Sequence, residues 1–229
     1  MTSSQITSNT LGFLKKLSKN NNRDWFNKNK ETYLKAQENM IAFADALLLE
    51  MQKHDKIENK SGKDSLMRIY RDTRFSKDKT PYKDHFGGGF QREGKKLRGD
   101  YYFQIGPDSA FAACGFYAPN PEDLLAIRKD IDYNFKDWKK LLANKKLRST
   151  YGEIEGEKVA SAPRGFAKDN PAIELLKLKQ FYFSREFKIS EIVKPGFYKE
   201  LSQTFKNARP YLDYMSEVLS SDANGSSLL

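Results

Sequence analysis

The residues best suited to chemistry in this sequence lie close together, in the stretch RIYRDTRFSKDKTPYKDHFGGGF from Arg68 to Phe90. The stretch combines cationic side chains with aromatic rings and a run of three glycines. Guanidinium groups bind carboxylates and phosphates through paired hydrogen bonds and do not readily lose their charge. The composition therefore predicts a site for an anionic ligand, and the predicted ligand-binding residues are Arg68, Arg71, Asp72, Arg74, Lys79 and Tyr82.

The arginine spacing predicts that the three guanidinium groups meet around one carboxylate. An extended backbone places Arg68, Asp72 and Arg74 on one face, because side chains alternate along a strand. A helix would instead bring Arg68 beside Arg71 and Asp72. Three arginines with one aspartate leave positive charge available for an outside anion, and Asp72 would orient the guanidinium groups.

A stiff turn is predicted after the arginines. Pro81 restricts Thr80 to extended backbone, which fixes the positions of Lys79 and Tyr82. The glycine run that follows would allow a backbone or a ligand to approach closely, and a kink in an edge strand would explain it equally well.

Three interpretations of the charged stretch stay open. The first is a pocket lined by arginine and lysine for a ligand that bears phosphate or carboxylate. The second is a purely structural arginine–aspartate network in an interaction protein, in which a buried ion pair holds strands together. The third is a nucleic-acid-binding module that uses Tyr70, Phe75 and Phe86 as stacking faces, because residues 60–100 contain twelve lysines and arginines against six acidic residues.

No pair of residues identifies a reaction. Cys114 and His85 have the types of a nucleophile and a base, but FAACGFY predicts a buried strand, and burial in apolar surroundings raises the pKa of a thiol. The only other histidine is His54, so the sequence contains no zinc-type cluster of ligands. We expect no metal and no cofactor, and we assign neither catalytic residues nor an oligomeric state.

The composition predicts a globular protein with an aromatic core. The 229 residues include 38% hydrophobic and 13% aromatic residues, and the formal net charge is +10. No apolar run approaches the roughly 20 residues that cross a bilayer. The first residues, MTSSQITSNTLGF, lack the pattern of a secretory signal. We therefore expect a soluble, cytoplasmic protein that does not associate with membranes.

Apolar periodicity predicts helices on both sides of the charged stretch. A short helix is expected around residues 11–17, and Asn22 is expected to cap a long helix that continues to about His54. Asn120 followed by Pro121 predicts the start of another long helix. The same Asn-Pro pair recurs at residues 170–171, and residues 197–219 read as a helix interrupted at Pro210.

Short aromatic segments between these helices predict strands. They are SLMRIYR, HFGGGF, DYYFQIG and SAFAACGFY, with QFYFSREF as a later strand. The sequence GPDS predicts a tight turn, so that DYYFQIG and SAFAACGFY form an antiparallel hairpin. We expect a sheet built from residues 66–117.

The order of helices, strands and helices predicts an α+β fold, with a mostly antiparallel sheet covered by the long helices that begin near Asn22 and Asn120. No linker rich in glycine, serine or proline divides the chain. We expect a single domain over residues 1–229, with frayed ends at about residues 1–7 and 221–229.

The motif Arg68-x-x-Arg71-Asp72-x-Arg74-Phe75-x-x-x-Lys79-x-Pro81-Tyr82 resembles the hallmark of a family of conserved hypothetical proteins, domain of unknown function 2461, and all eight fixed positions match. The resemblance extends to RDWFNKNKETY before the motif and to GFYAPNPEDLLAIRKDI after it. It implies a length near that of this chain and a largely bacterial distribution. It implies no particular activity.

Overall fold

The computed structural model describes residues 3–220, and this part of the chain forms eleven helices and four strands. In chain order the elements are α1 (Ser8–Lys19), α2 (Arg23–Lys28), α3 (Lys30–Met51), α4 (Gly62–Ser65), β1 (Phe86–Gln91), β2 (Asp100–Ile105), β3 (Ala110–Phe116), α5 (Pro121–Tyr133), α6 (Phe135–Leu142), α7 (Lys145–Tyr151), α8 (Ile173–Leu176), β4 (Phe181–Phe187), α9 (Ile189–Ile192), α10 (Phe197–Asn207) and α11 (Arg209–Ser220).

The strands form one antiparallel sheet in the order β1-β2-β3-β4. β2 and β3 are the two arms of the predicted hairpin, and the Gly106 N–H donates a hydrogen bond to the Ser109 carbonyl at 2.9 Å across its turn. Side chains along β3 alternate between buried and partly exposed, as expected for a pleated strand. The predicted α+β class with an antiparallel sheet is confirmed.

The chain divides into two compact units. Unit 1 contains the residues up to Gln91, Tyr102–Ala112 and Glu186–Thr204, and unit 2 contains Arg92–Tyr101, Ala113–Arg185 and the residues from Phe205 onwards. The boundaries between the units fall at the end of β1 and within β2, β3, β4 and α10. The claim that residues 1–229 form a single domain therefore stays a prediction.

The segment predicted as the first strand, SLMRIYR, does not join the sheet as a strand, and its first residue, Ser65, ends α4. It makes two isolated antiparallel bridges, Leu66 with Gly88 and Tyr70 with Tyr82. The Met67 N–H donates to the Gly87 carbonyl at 2.9 Å, and the Lys83 N–H donates to the Ile69 carbonyl at 2.7 Å. Between these two contacts, the five residues 83–87 lie opposite only the three residues 67–69. A bulge thus interrupts the ladder.

The predicted long helix from Asn22 to His54 is divided in two. Asn22 caps the first part as expected, because its side-chain oxygen accepts a hydrogen bond from the Trp25 N–H at 2.9 Å. The first part ends at Lys28, and Asn29 donates from its side-chain amide to the Trp25 carbonyl at 2.9 Å. An asparagine that bonds to the preceding turn competes with helical hydrogen bonding, and this ends α2 before α3 begins.

Of the two Asn-Pro pairs, only the first begins a helix. The Asn120 side chain accepts from the Asp123 N–H at 2.8 Å, and α5 starts at Pro121. The expected start at residues 170–171 is wrong. There the Asn170 side chain accepts from the Ala172 N–H at 2.8 Å and forms a turn, so that α8 starts only at Ile173.

Residues 3–7, which were expected to fray, are held by Asn39 of α3. The Asn39 amide donates to the carbonyls of Ser3 at 2.9 Å and Gln5 at 2.8 Å. Its oxygen accepts from the Thr7 N–H at 3.1 Å, and Ile6 is buried. The predicted fraying of residues 221–229 falls outside the described residues.

Each unit has its own aromatic core. In unit 1, Phe43 lies between Phe103 and Phe197, with ring centroids 5.8 Å and 6.0 Å away, and Trp25 stacks on Phe13 at 6.1 Å. These rings confirm the predicted aromatic character of the interior.

In unit 2, the Trp138 ring is fully buried, and its N–H donates to a carboxylate oxygen of Asp130 at 2.7 Å. The Tyr211 hydroxyl, also buried, donates to the Phe181 carbonyl at 2.8 Å. Among the helices described between residues 3 and 220, none is long and apolar enough to span a membrane.

Candidate functional site

The predicted site residues lie on one loop of unit 1, residues 68–83, which we call the basic loop. Antiparallel contacts close its base, where Tyr70 bridges Tyr82 and the Arg71 N–H donates to the Pro81 carbonyl at 3.0 Å. All six predicted ligand-binding side chains are on this loop, but they have different environments. Some shape the loop and others face solvent.

Arg71 is bound inside the loop. Its guanidinium group donates hydrogen bonds to the Asp78 carboxylate and the Thr80 hydroxyl. Asp78 in turn accepts from the Thr80 N–H at 2.9 Å. The pKa of Asp78 is lowered to about 2, chiefly by the Thr80 amide and then by Arg71. Arg71 therefore connects the two arms of the loop.

Asp72 pairs with Arg74 and not with Arg71. The Arg74 Nε donates to Asp72 Oδ1 at 3.0 Å, and the Arg74 Nη2 donates to Asp72 Oδ2 at 2.6 Å. Both side chains are exposed, and the pKa of Asp72 is lowered mainly by the Arg74 side chain. The expectation that three arginines converge around one carboxylate is wrong, because the loop provides a second carboxylate at Asp78.

The exposure of this pair also changes the purely structural interpretation. A buried Asp72 pair would have held strands together, but an exposed pair contributes little to stability because water screens it. The contacts that shape the loop are those of Arg71 and of Lys79, whose ammonium group donates to the Thr73 carbonyl at 2.9 Å.

Tyr82 anchors the loop to the core of unit 1. Its side chain is only 4% exposed, and its ring stacks on Phe26 with centroids 3.9 Å apart and planes 14° apart. The Tyr70 ring lies 5.4 Å away. Asn21 holds the backbone of Tyr82 with two hydrogen bonds, accepting from its N–H at 3.1 Å and donating to its carbonyl at 2.9 Å. Burial raises the pKa of the Tyr82 hydroxyl.

Lys83 is a site residue that the sequence-based prediction omitted. It is half-buried, and the pKa of its ammonium group is lowered first by burial and then by the charge of Arg68. Within residues 3–220 neither Lys83 nor Arg68 has a salt-bridge partner, although Arg68 is close enough to lower the pKa of Asp72. The antiparallel pairing at the base of the loop places the backbone of Lys83 opposite Ile69, next to Arg68 in sequence, and the residue types alone do not reveal this pairing.

The three predicted stacking rings have different exposures. Phe75, at the tip of the basic loop, is 95% exposed, and Tyr70 is 47% exposed. Phe86 is buried in β1, where its ring is stacked with that of Tyr33 at 6.5 Å. The prediction that Phe86 offers a stacking face is therefore wrong.

The glycine run makes room for side chains of the neighbouring strand. A Cβ at Gly87 would come within 2.9 Å of the Tyr102 hydroxyl, and a Cβ at Gly88 would overlap the Phe103 ring. These glycines thus serve the packing of β1 against β2.

Cys114 lies in β3 and is buried, as the sequence predicted. Burial raises the pKa of its thiol to about 12, so the thiolate is not populated at neutral pH.

The fold and the site define an α+β protein with an exposed basic loop, and the aromatic residues Tyr70 and Tyr82 close the base of that loop. The chain belongs to the family described as conserved hypothetical protein (DUF2461), whose family model matches residues 9–214. The matched range includes the whole basic loop, and it confirms the family resemblance of the motif. No curated protein and no solved structure matches the chain.

Proposed function

We propose that the protein binds a phosphate- or carboxylate-bearing ligand on the basic loop, with Arg68 and Lys83 as the primary contacts. The observation that carries this proposal is the half-buried Lys83, whose backbone N–H pairs with the Ile69 carbonyl next to Arg68 and whose ammonium pKa is lowered by burial and then by the charge of Arg68. Burial makes the charged form of Lys83 costly, and the like charge of Arg68 adds to that cost. An anion bound between them would relieve both costs.

Arg74 is the third contact in this proposal. Its hydrogen bonds to Asp72 are made in water, so their net free energy is small and an incoming anion can replace them. The other predicted site residues then have supporting roles. Arg71 and Lys79 fix the conformation of the loop, and Tyr82 anchors it.

The first experiment measures binding of inorganic phosphate and citrate by isothermal titration calorimetry. The double variant Arg68→Ala/Lys83→Ala should lose at least tenfold in affinity, because each charge-assisted contact is stronger than a neutral hydrogen bond. The matched control is Lys15→Ala/Lys16→Ala, which removes two exposed lysines from α1 of the same unit and should bind as wild type does. Equal losses of affinity in both double variants would show that binding depends only on net charge, which would contradict the proposal.

The variant Asp72→Asn tests the proposal through an expected gain of affinity instead of a loss. Removing this carboxylate releases Arg74 and takes a negative charge away from Arg68, so the affinity for phosphate should rise. The melting temperature should stay close to that of wild type, because the pair is exposed. Weaker phosphate binding by Asp72→Asn would show that the carboxylate orients the site, as the sequence first suggested, and would refute the assignment of Arg74.

A further inference from the structure

The tip of the basic loop presents an aromatic ring to solvent. Phe75 is 95% exposed and Tyr70 is 47% exposed. We propose that the anionic ligand is a single-stranded nucleic acid, with bases stacked on Phe75 and Tyr70 and with phosphates bound by the cations of the loop. This inference rests on the proposed anion site and names its ligand.

Hydrogen bonds within the loop order the backbone on both sides of Phe75. The Ser76 N–H and the Lys79 ammonium group both donate to the Thr73 carbonyl, at 3.4 Å and 2.9 Å. The Arg71 contacts to Asp78 and Thr80 complete the closure of the loop. A loop that is already ordered loses little conformational entropy when a ligand binds, which favours stacking on its exposed ring.

Cations are interleaved with the two rings. Arg74 is adjacent to Phe75 in sequence, and its guanidinium carbon lies 5.8 Å from the centre of that ring. Lys77 is exposed on the same loop and, within residues 3–220, has no salt-bridge partner. Together with Arg68 and Lys83, these groups distribute positive charge along the loop, as required for a ligand whose negative charges repeat along a chain.

The stacking faces select single strands over the other polyanions. Bases in a duplex are already stacked on each other, whereas unpaired bases have free faces for aromatic side chains. An acidic protein segment would satisfy the cations, but its carboxylates would leave Phe75 in water. A nucleic acid single strand uses both the charge and the ring.

The test is fluorescence anisotropy with a fluorescein-labelled 12-nucleotide oligodeoxythymidine at low salt. Phe75→Ala should weaken this binding roughly 5- to 150-fold, the range for loss of one base–aromatic stack. Phe75→Trp should restore it. The matched control is Tyr133→Ala, which removes an exposed tyrosine (89% exposed) from unit 2 and should leave the affinity unchanged. Because Phe75 is 95% exposed and contributes very little buried surface, the variants should keep the wild-type circular dichroism spectrum.

Salt dependence provides an independent measurement on the same probe. Each phosphate contact on a single strand contributes about −0.7 to the slope of log K against log salt, so three or four loop cations predict a slope between about −2 and −3. A slope near zero would overturn the inference, and so would displacement of the oligonucleotide by polyglutamate at equal charge concentration.

Phosphate calorimetry on the same variants separates this inference from the proposed function. Phe75→Ala should bind inorganic phosphate as wild type does, whereas Arg68→Ala/Lys83→Ala should lose phosphate and oligonucleotide together. If Phe75→Ala kept full oligonucleotide affinity while the double variant lost phosphate, the anion site would stand and the nucleic-acid inference would fall. If the double variant kept both ligands, both would fall.

Discussion

Replacing Tyr82 distinguishes an anchor of the basic loop from a ligand contact. The Tyr82 ring is buried and stacked on Phe26 at 3.9 Å, so Tyr82→Ala removes a large aromatic side chain from a packed core. Deletions of this kind cost about 3–5 kcal/mol in free energy of unfolding. The loss of the stacked contact with Phe26 and of the tilted contact with Tyr70 favours the upper half of that range. Tyr82→Phe keeps the ring and should cost about 1 kcal/mol or less.

The assay is thermal and urea unfolding followed by circular dichroism, with phosphate titration of each variant that folds. For a chain of this length each kcal/mol shifts the melting temperature by about 2–4 °C, so a loss near 4 kcal/mol predicts a decrease of about 8–16 °C for Tyr82→Ala. Tyr82→Phe should melt close to wild type and bind phosphate with unchanged affinity.

Two results would refute this reasoning. If Tyr82→Ala melted within about 2 °C of wild type, the ring would not be part of the core. If Tyr82→Phe folded normally but lost phosphate binding, the hydroxyl would contact the ligand, and Tyr82 would return to the set of ligand contacts that the sequence predicted.

Three further predictions concern residues other than Tyr82. Gly62→Ala would place a Cβ against backbone atoms of α3, so urea unfolding should show destabilisation of about 3 kcal/mol, whereas Gly12→Ala, in open space on α1, should not destabilise. Because the pKa of Asp78 is lowered to about 2 in the folded loop, its contribution to loop stability should be complete above about pH 4 and lost as the pH falls to about 2. The Thr80 amide, which donates to Asp78, should report this loss by NMR, and Asp78→Asn should abolish the pH dependence. Cys114 should react with a thiol reagent only after unfolding, because it is buried with a pKa of about 12, and rapid labelling of the native protein would contradict that burial.

The sequence predicted those elements whose signals are local. An N-cap such as Asn22 or Asn120 acts on an amide only three residues away, so type and spacing were sufficient to identify it. The break at Asn29 was not predictable from periodicity, because apolar residues recur on both sides of it in one stripe. The bulge opposite residues 67–69 depends on pairing with a distant segment, and nothing local encodes that register.

The residue types of the candidate site were predictable from the sequence, but the ion pairs that they form were not. The sequence predicted a site on this loop, because cations and aromatics are concentrated there, and that assignment stays a prediction. It could not show that Arg71 pairs with Asp78, since a contact between residues seven positions apart depends on how the loop reverses. For the same reason it assigned Arg71 to Asp72, the nearer carboxylate. Lys83 was omitted because its proximity to Arg68 follows from the bridge between Tyr70 and Tyr82.

The two tryptophans of the chain are distributed one to each compact unit, Trp25 in unit 1 and Trp138 in unit 2. Each single-tryptophan variant, Trp138→Phe or Trp25→Phe, therefore carries one tryptophan, and excitation that selects tryptophan over the tyrosines makes its fluorescence report on one unit. Coincident denaturation curves from the two variants, after correction for the stability change of each substitution, would indicate cooperative two-state unfolding of the whole chain. Separated midpoints would instead give each unit its own unfolding free energy, and would allow the stabilising effect of a bound anion to be assigned to the unit that carries the basic loop.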